Sequence, residues 1–259
     1  MGSPGSAVET PRREATGPGP LPGYLRLDGP VPLFHAPRLA EGAREVLGHL
    51  TRGSEALSGI LMVEPPELSV FLVAEEDWEG APREKAHPYP PGLPYFTRSV
   101  APPALVLPEG LSPVFRPRTA ALLPLAVWLE LAHAFLLGRE VVRMPAWLGE
   151  LVPQAASAAV ARRVGVPLGE HLALVDPDPG FTVRGFGGRV GAGDQMKYQN
   201  LLLAFGAAML ERFGEGLLAC LFRALWEEED VVDEERALGL LAGSLGAGGA
   251  AWLLSWPEF

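Results

Sequence analysis

Residues 121–154 read A-L-L-P-L-A-V-W-L-E-L-A-H-A-F-L-L-G-R-E-V-V-R-M-P-A-W-L-G-E-L-V-P-Q. As far as Leu137 the stretch is apolar except for Glu130 and His133. A helix that is apolar on every side belongs in a core, where a polar group needs a partner or a purpose. Pro124 suits a first-turn position and Gly138 suits the stop. The spacing therefore predicts a buried helix carrying two polar residues three positions apart, close enough on one face to act together.

In the zinc-protease pattern H-E-x-x-H, two histidines at i and i+4 share a helical face and bind the metal. The glutamate beside the first histidine activates the metal-bound water. The register here is Leu129-Glu130-Leu131-Ala132-His133, so the base and second-histidine positions are filled while the first ligand position holds leucine. Downstream, Pro145-Ala146-Trp147-Leu148-Gly149-Glu150 is similar to the P-x-W-L-x-E segment of the gluzincin metallopeptidases, the peptidase-MA-like group, whose glutamate is the third zinc ligand. The resemblance places His133 and Glu150 at metal-ligand positions and Glu130 at the general-base position. It departs from the family at Leu129 and again at Leu151, where the family usually has glycine.

Residues 198–225, beginning Y-Q-N-L-L-L-A-F-G and containing E-R-F-G, resemble the family segment that follows the active site. There a tyrosine, an apolar helix, E-R-F/Y-G and another helix come in that order. Tyr198 corresponds to a tyrosine that can stabilise the transition state; packing and hydrogen bonding are the role expected of it here. The resemblance covers about residues 30–256 and is most specific over 128–150. It implies an α+β, zincin-like fold: a small N-terminal mixed sheet with helices, the motif helix, and a mostly helical C-terminal lobe.

The rest of the chain is read around this helix. Residues 1–23, rich in Gly, Pro and Ser, are expected to be a flexible tail. Residues 24–259 are expected to form one domain, with an α/β lobe over 24–120 and a helical lobe over 121–259. Residues 24–34 read as an edge strand interrupted by proline, and 39–50 as an amphipathic helix. Residues 60–63 and 68–73 read as strands, the second an unbroken apolar run suited to the sheet interior, with Trp78 capping that core. A proline-rich loop over 81–98 leads to a strand at 104–107, which the resemblance makes the edge beside the substrate cleft. Trp147 and Leu148 read as anchors packing the loop after the motif helix, followed by a helix ending at Gly165. Residues 176–193 are expected to be a mobile loop near the cleft. They do not form a nucleotide loop, because Val190 takes the third glycine position and no Gly-Lys-Ser/Thr follows. A helical region over 198–225 breaks at Gly214, and an acidic turn precedes the last helices.

Composition narrows the function classes. The chain has 259 residues, 48% of them hydrophobic, and a net charge of 21 − 31 = −10. That balance argues against nucleic-acid and membrane partners, which need a basic face. The single cysteine, Cys220, excludes an internal disulfide and reads as a buried inert thiol. No secretory signal opens the chain, so a soluble, cytoplasmic protein is expected. His35, His49, His87 and His171 read as ordinary histidines, and no cofactor is expected unless one of them completes a zinc site. The leading reading is a pseudoenzyme, a metallopeptidase-like scaffold that binds a protein or peptide partner. Two others stay open: a divergent zinc-dependent peptidase or hydrolase with a recruited third ligand, and a metal-free small-ligand or peptide-binding domain using a cleft lined by Leu129. In purely structural terms, His133 would be hydrogen-bonded to Glu130 or Glu150.

Overall fold

The computed structural model describes residues 21–84, 92–110, 119–138, 143–169, 180–187, 192–256 and 259. Of the expected tail over 1–23, residues 1–20 lie outside them, and so do His87 and His171. Residues 21–23 are not free of the fold: Leu21 packs on the cluster around Trp78.

Five short strands form one mixed sheet in the order β1-β2-β3-β5-β4. They are β1 (Leu25–Leu27), β2 (Leu33–His35), β3 (Ser69–Val73), β4 (Tyr95–Thr97) and β5 (Ala104–Pro108). The single strand expected over 24–34 is two, paired antiparallel with Leu25 opposite His35; the intervening D-G-P-V-P forces the turn. The first helix, α1 (Ala40–Leu61), crosses from β2 to β3, which are parallel, with Phe34 opposite Phe71. The helix expected to end at Leu50 thus runs eleven residues further, and the strand expected over 60–63 is instead its last turn and C-cap. The physical reason is in the burial pattern: Gly53, Ser54, Ala56, Leu57, Ile60 and Leu61 are all buried, a helical spacing that continues the face begun by Val46 and Leu50.

β3 and β5 pair in parallel through the middle of the sheet. Their apolar runs are buried on both faces, which is why they do not alternate with polar residues. Val70, Leu72, Leu105 and Leu107 face the main core, while Phe71, Val73, Ala104 and Val106 face a smaller cluster with Trp78 and Tyr95. Trp78 caps that cluster as expected, edge-on to Tyr95 at 5.7 Å. β5 is not the sheet edge: β4, drawn from the stretch expected to be irregular, pairs antiparallel outside it, with Tyr95 opposite Val106.

Among the described residues the helical part includes α2 (Thr119–Leu137), α3 (Ala146–Val164), α4 (Ala192–Phe213), α5 (Gly216–Trp226), α6 (Glu234–Leu245) and α7 (Gly249–Ser255). α2 begins before the expected first turn, so Pro124 lies inside it and removes one intrahelical donor. Gly138 does end it: a Cβ there would stand 2.4 Å from the Ala134 carbonyl and 3.0 Å from Pro66 Cβ. The P-A-W-L-G-E segment opens α3 rather than preceding a helix as a loop, and Trp147 and Leu148 are buried in its first turn. α3 ends at Gly165, left-handed at φ 75°, as glycine at a helix C-cap allows. Gly214, at φ 77°, separates α4 from α5. Cys220 is exposed, against expectation. It points away from the Leu217, Leu218, Leu221 and Leu225 face of α5, because an apolar-looking run on a helix of 3.6 residues per turn still has an outer side.

One apolar core runs from Leu33 and Val70 of the sheet through α1, α2 and α3 to Leu241 and Leu253, crossing residue 120 without a break. Among the described residues no single helix is long and apolar enough to cross a membrane.

Candidate functional site

α3 is the central helix. Every residue from Leu151 to Ala161 is buried, because α1, α2 and α4 all pack against it. The crossings rely on small residues. A Cβ on Gly206 of α4 would stand 2.9 Å from Ala155 Cα, and one on Gly53 of α1 would stand 2.4 Å from Trp128 Cδ1. Trp128 is held in place by its indole N–H, which donates to the His49 carbonyl at 2.9 Å.

These crossings bring together the three residues singled out in the sequence. α2 presents Glu130 and His133 toward Glu150 in the first turns of α3. His133 Nε2 is 3.2 Å from Glu150 Oε2, and its Nδ1 is 3.5 Å from Glu130 Oε2. The first is a charge-assisted hydrogen bond. The second is an ion-pair contact too long for one, and Nδ1 is buried with no hydrogen-bond partner. The three side chains are 13%, 17% and 9% exposed for His133, Glu150 and Glu130.

Two glutamines that sequence reading passed over complete the network. Gln199 of α4 donates from Nε2 to Glu150 Oε1 at 2.7 Å, and its own Oε1 accepts from Gln154 of α3. Gln154 follows Glu150 by one helical turn, and Gln199 is a polar residue opening an apolar helix; both were visible as polar residues at buried spacings. Their pairing with Glu150 is a product of the α3–α4 crossing.

The electrostatics follow from this arrangement. Burial pushes the His133 imidazolium toward losing its proton, but the carboxylates of Glu150 and Glu130 outweigh it and raise its pKa to about 10. Burial pushes the Glu150 carboxyl up, while the charge and hydrogen bond of His133, with the Gln199 amide, outweigh it and leave it below the ordinary carboxylate value. The pair is thus a mutually stabilised imidazolium and carboxylate.

A zinc centre needs three protein donors around the metal with a fourth position open. The donor set here is one imidazole and one carboxylate that bond to each other, and Leu129, one helical turn before His133, has no donor atom to add. These residues do not fit that centre. Among the described residues no group of three or more His, Cys, Asp or Glu is arranged to hold a metal ion. His35 is buried in β2 with Nδ1 2.8 Å from the Ala36 carbonyl. His49 packs edge-on to Trp128, and burial, then Arg52, hold its pKa below the usual histidine value against the pull of Glu45. Neither is a partner of His133 or Glu150.

Tyr198 is buried between Phe181 and Phe186, at centroid distances of 4.5 and 5.4 Å. Its hydroxyl donates to the Gly185 carbonyl at 3.2 Å. It therefore fastens residues 180–187 to α4, with Val183 and Phe186 buried beneath; the remainder of the loop expected over 176–193 falls outside the described residues but for the start of α4.

No protein-family model matches the chain, and a search of curated proteins found no match.

Proposed function

We propose that this protein is a zincin-like, gluzincin-related scaffold whose metal-ligand positions have become an internal ion pair, and that it binds a peptide or protein partner instead of hydrolysing one. The observation that carries the reading is the 3.2 Å contact between His133 Nε2 and Glu150 Oε2. Two groups that would each point a lone pair at a metal are instead bonded to each other, beside a leucine at the remaining ligand position. Without a metal, Glu130 has no acidified water to deprotonate. Further support comes from the order of elements: a long helix, a mixed sheet, the helix of Glu130 and His133, and then the helix of Glu150. Met144, Gly149 and Leu129 are only half-buried, which leaves the ion pair near a surface a partner can reach.

The test is zinc content, measured by elemental mass spectrometry on dialysed, untagged protein, for the wild type and for Leu129→His. The reading expects an empty wild type and about one zinc per chain in the variant, as a three-donor site would hold. Stoichiometric zinc in the wild type would instead support a zinc-dependent hydrolase with a recruited ligand. Absence of zinc from both proteins would remove the gluzincin relation.

A further inference from the structure

Where α4 ends against the last turns of α3, the helices leave a cavity of about 130 Å³ lined by Ala159, Arg162, Leu210, Gly214 and Glu215. Small residues account for the space. Ala159 offers only a methyl group, and Gly214 turns the chain from α4 into α5 in the left-handed region, with nothing within 4 Å of an added Cβ. Ala159 and Leu210 supply the apolar lining, and the other two lining side chains are charged. Arg163 donates from Nε to both Glu215 oxygens at 3.1 Å. That hydrogen bonding, with the guanidinium charge, holds the Glu215 carboxyl below its ordinary value against the effect of burial. Arg162 has no such partner: among the described residues it makes no hydrogen bond and no ion pair, and it acts on Glu215 only as a nearby charge. With Arg163 committed to Glu215, the Arg162 guanidinium is the charge left over at the cavity.

We propose that this cavity binds a short aliphatic monocarboxylate, with the carboxylate on the Arg162 guanidinium and the hydrocarbon body against Ala159 and Leu210. Size sets the class: a cavity of about 150 Å³ admits a benzene molecule, so this one takes about five or six non-hydrogen atoms and excludes sugars and nucleotides. The planar guanidinium fork matches a carboxylate through two parallel hydrogen bonds. A phosphate dianion suits the site less well, because the lining is half apolar and includes the Glu215 carboxylate. Along α3 the site lies about 18 Å from Glu150 by the helix rise, so it does not rest on the ion pair or on the peptide-binding reading. The carboxylate belongs to a free small acid or to a peptide C-terminus, which present the same chemistry to Arg162.

The experiment follows backbone amide and arginine Nε–H shifts of the isotope-labelled full chain by NMR during titration at constant ionic strength. The probes are sodium isobutyrate, isobutyramide, inorganic phosphate and N-acetylglycylvaline. The expected result is saturable shifts from isobutyrate centred on Gly214 and the Arg162 Nε–H, with binding at least about tenfold tighter than that of isobutyramide. Arg162→Gln should abolish them, whereas Arg44→Gln, an exposed arginine near the start of α1, should not. Tighter binding of N-acetylglycylvaline than of isobutyrate assigns the carboxylate to a peptide C-terminus, and weaker binding assigns it to a free acid; either upholds the site. Equal binding of isobutyrate and isobutyramide overturns it, a comparison that uses wild type alone and does not depend on a variant folding. Isobutyrate binding retained in Arg162→Gln, or no saturable shift from any probe, also overturns it. Phosphate binding as tightly as isobutyrate overturns the monocarboxylate assignment.

Discussion

At the scale of single residues, the network around His133 is an ion pair with too little charge on one side. Removing the imidazole leaves two largely buried carboxylates without the cation they share, and breaking a buried pair from one side costs about 3–5 kcal/mol. His133→Leu should lower unfolding stability by that order in urea titrations. Replacing Glu130, His133 and Glu150 together with leucine, leucine and methionine should recover most of the loss, since apolar replacement of a whole buried ionic cluster is often neutral or stabilising. Failure of the triple variant to recover would show that the cluster is a structural need of the fold. The pair also sets a pH dependence. The folded pKa of His133, about 10, lies above the ordinary 6.5, so its contribution is fully present below about pH 6.5 and is lost as pH rises through 10. Unfolding free energy should fall between pH 6.5 and pH 10, and Glu150→Gln should shrink that fall. An equal slope in both proteins would detach the effect from this pair.

At the scale of elements, the site depends on how closely α1, α2, α3 and α4 cross, and glycines set those distances. At Gly53 an added Cβ meets Trp128, an indole that is fully buried and hydrogen-bonded. At Gly206 it meets the backbone of Ala155. Neither neighbour can swing aside. Gly53→Ala and Gly206→Ala should therefore each destabilise by about 1–3 kcal/mol, the usual size of overpacking, measured by urea denaturation. Gly239, exposed in α6 with nothing within 4 Å of an added Cβ, should behave oppositely. Alanine there should stabilise by about 0.5–1 kcal/mol through helix propensity. Equal effects at the three positions would mean that propensity, not packing, governs them.

At the scale of the whole molecule, the core passes from the sheet through α1 into the helical part. α1 packs on the sheet strand β2 and also on α2, α3 and α5. A chain cut after residue 110 would expose the face of α1 that carries Val46, Leu50, Leu57 and Ile60, and should fail to fold alone, giving a poorly dispersed amide NMR spectrum. The intact chain should unfold in one transition, with coincident midpoints by far-ultraviolet circular dichroism and by tryptophan fluorescence. Separate midpoints would show that the sheet and the helical part are independent units.

The residues alone determined the buried helix from its apolar run, the meeting of Glu130 with His133 from their three-residue spacing, the interior strand β3, the presence of β5 though not its interior place, and the breaks at Gly138, Gly165 and Gly214. Each of these follows from local periodicity or from a backbone property of one residue type. Other features arose only on packing. The helix expected to stop at residue 50 and the strand expected over 60–63 became one helix because the far face of α1 found α2 and α3 to bury against. Cys220 turned outward because the inner face of α5 was already filled by leucines. The strand at 95–97 exists because β5 had an open edge to pair with. The bond between His133 and Glu150, and the glutamines that brace it, belong to the same class. Residues 17 and 49 positions apart in the chain meet only when helices cross at distances set by glycine and alanine, and no local pattern encodes that distance.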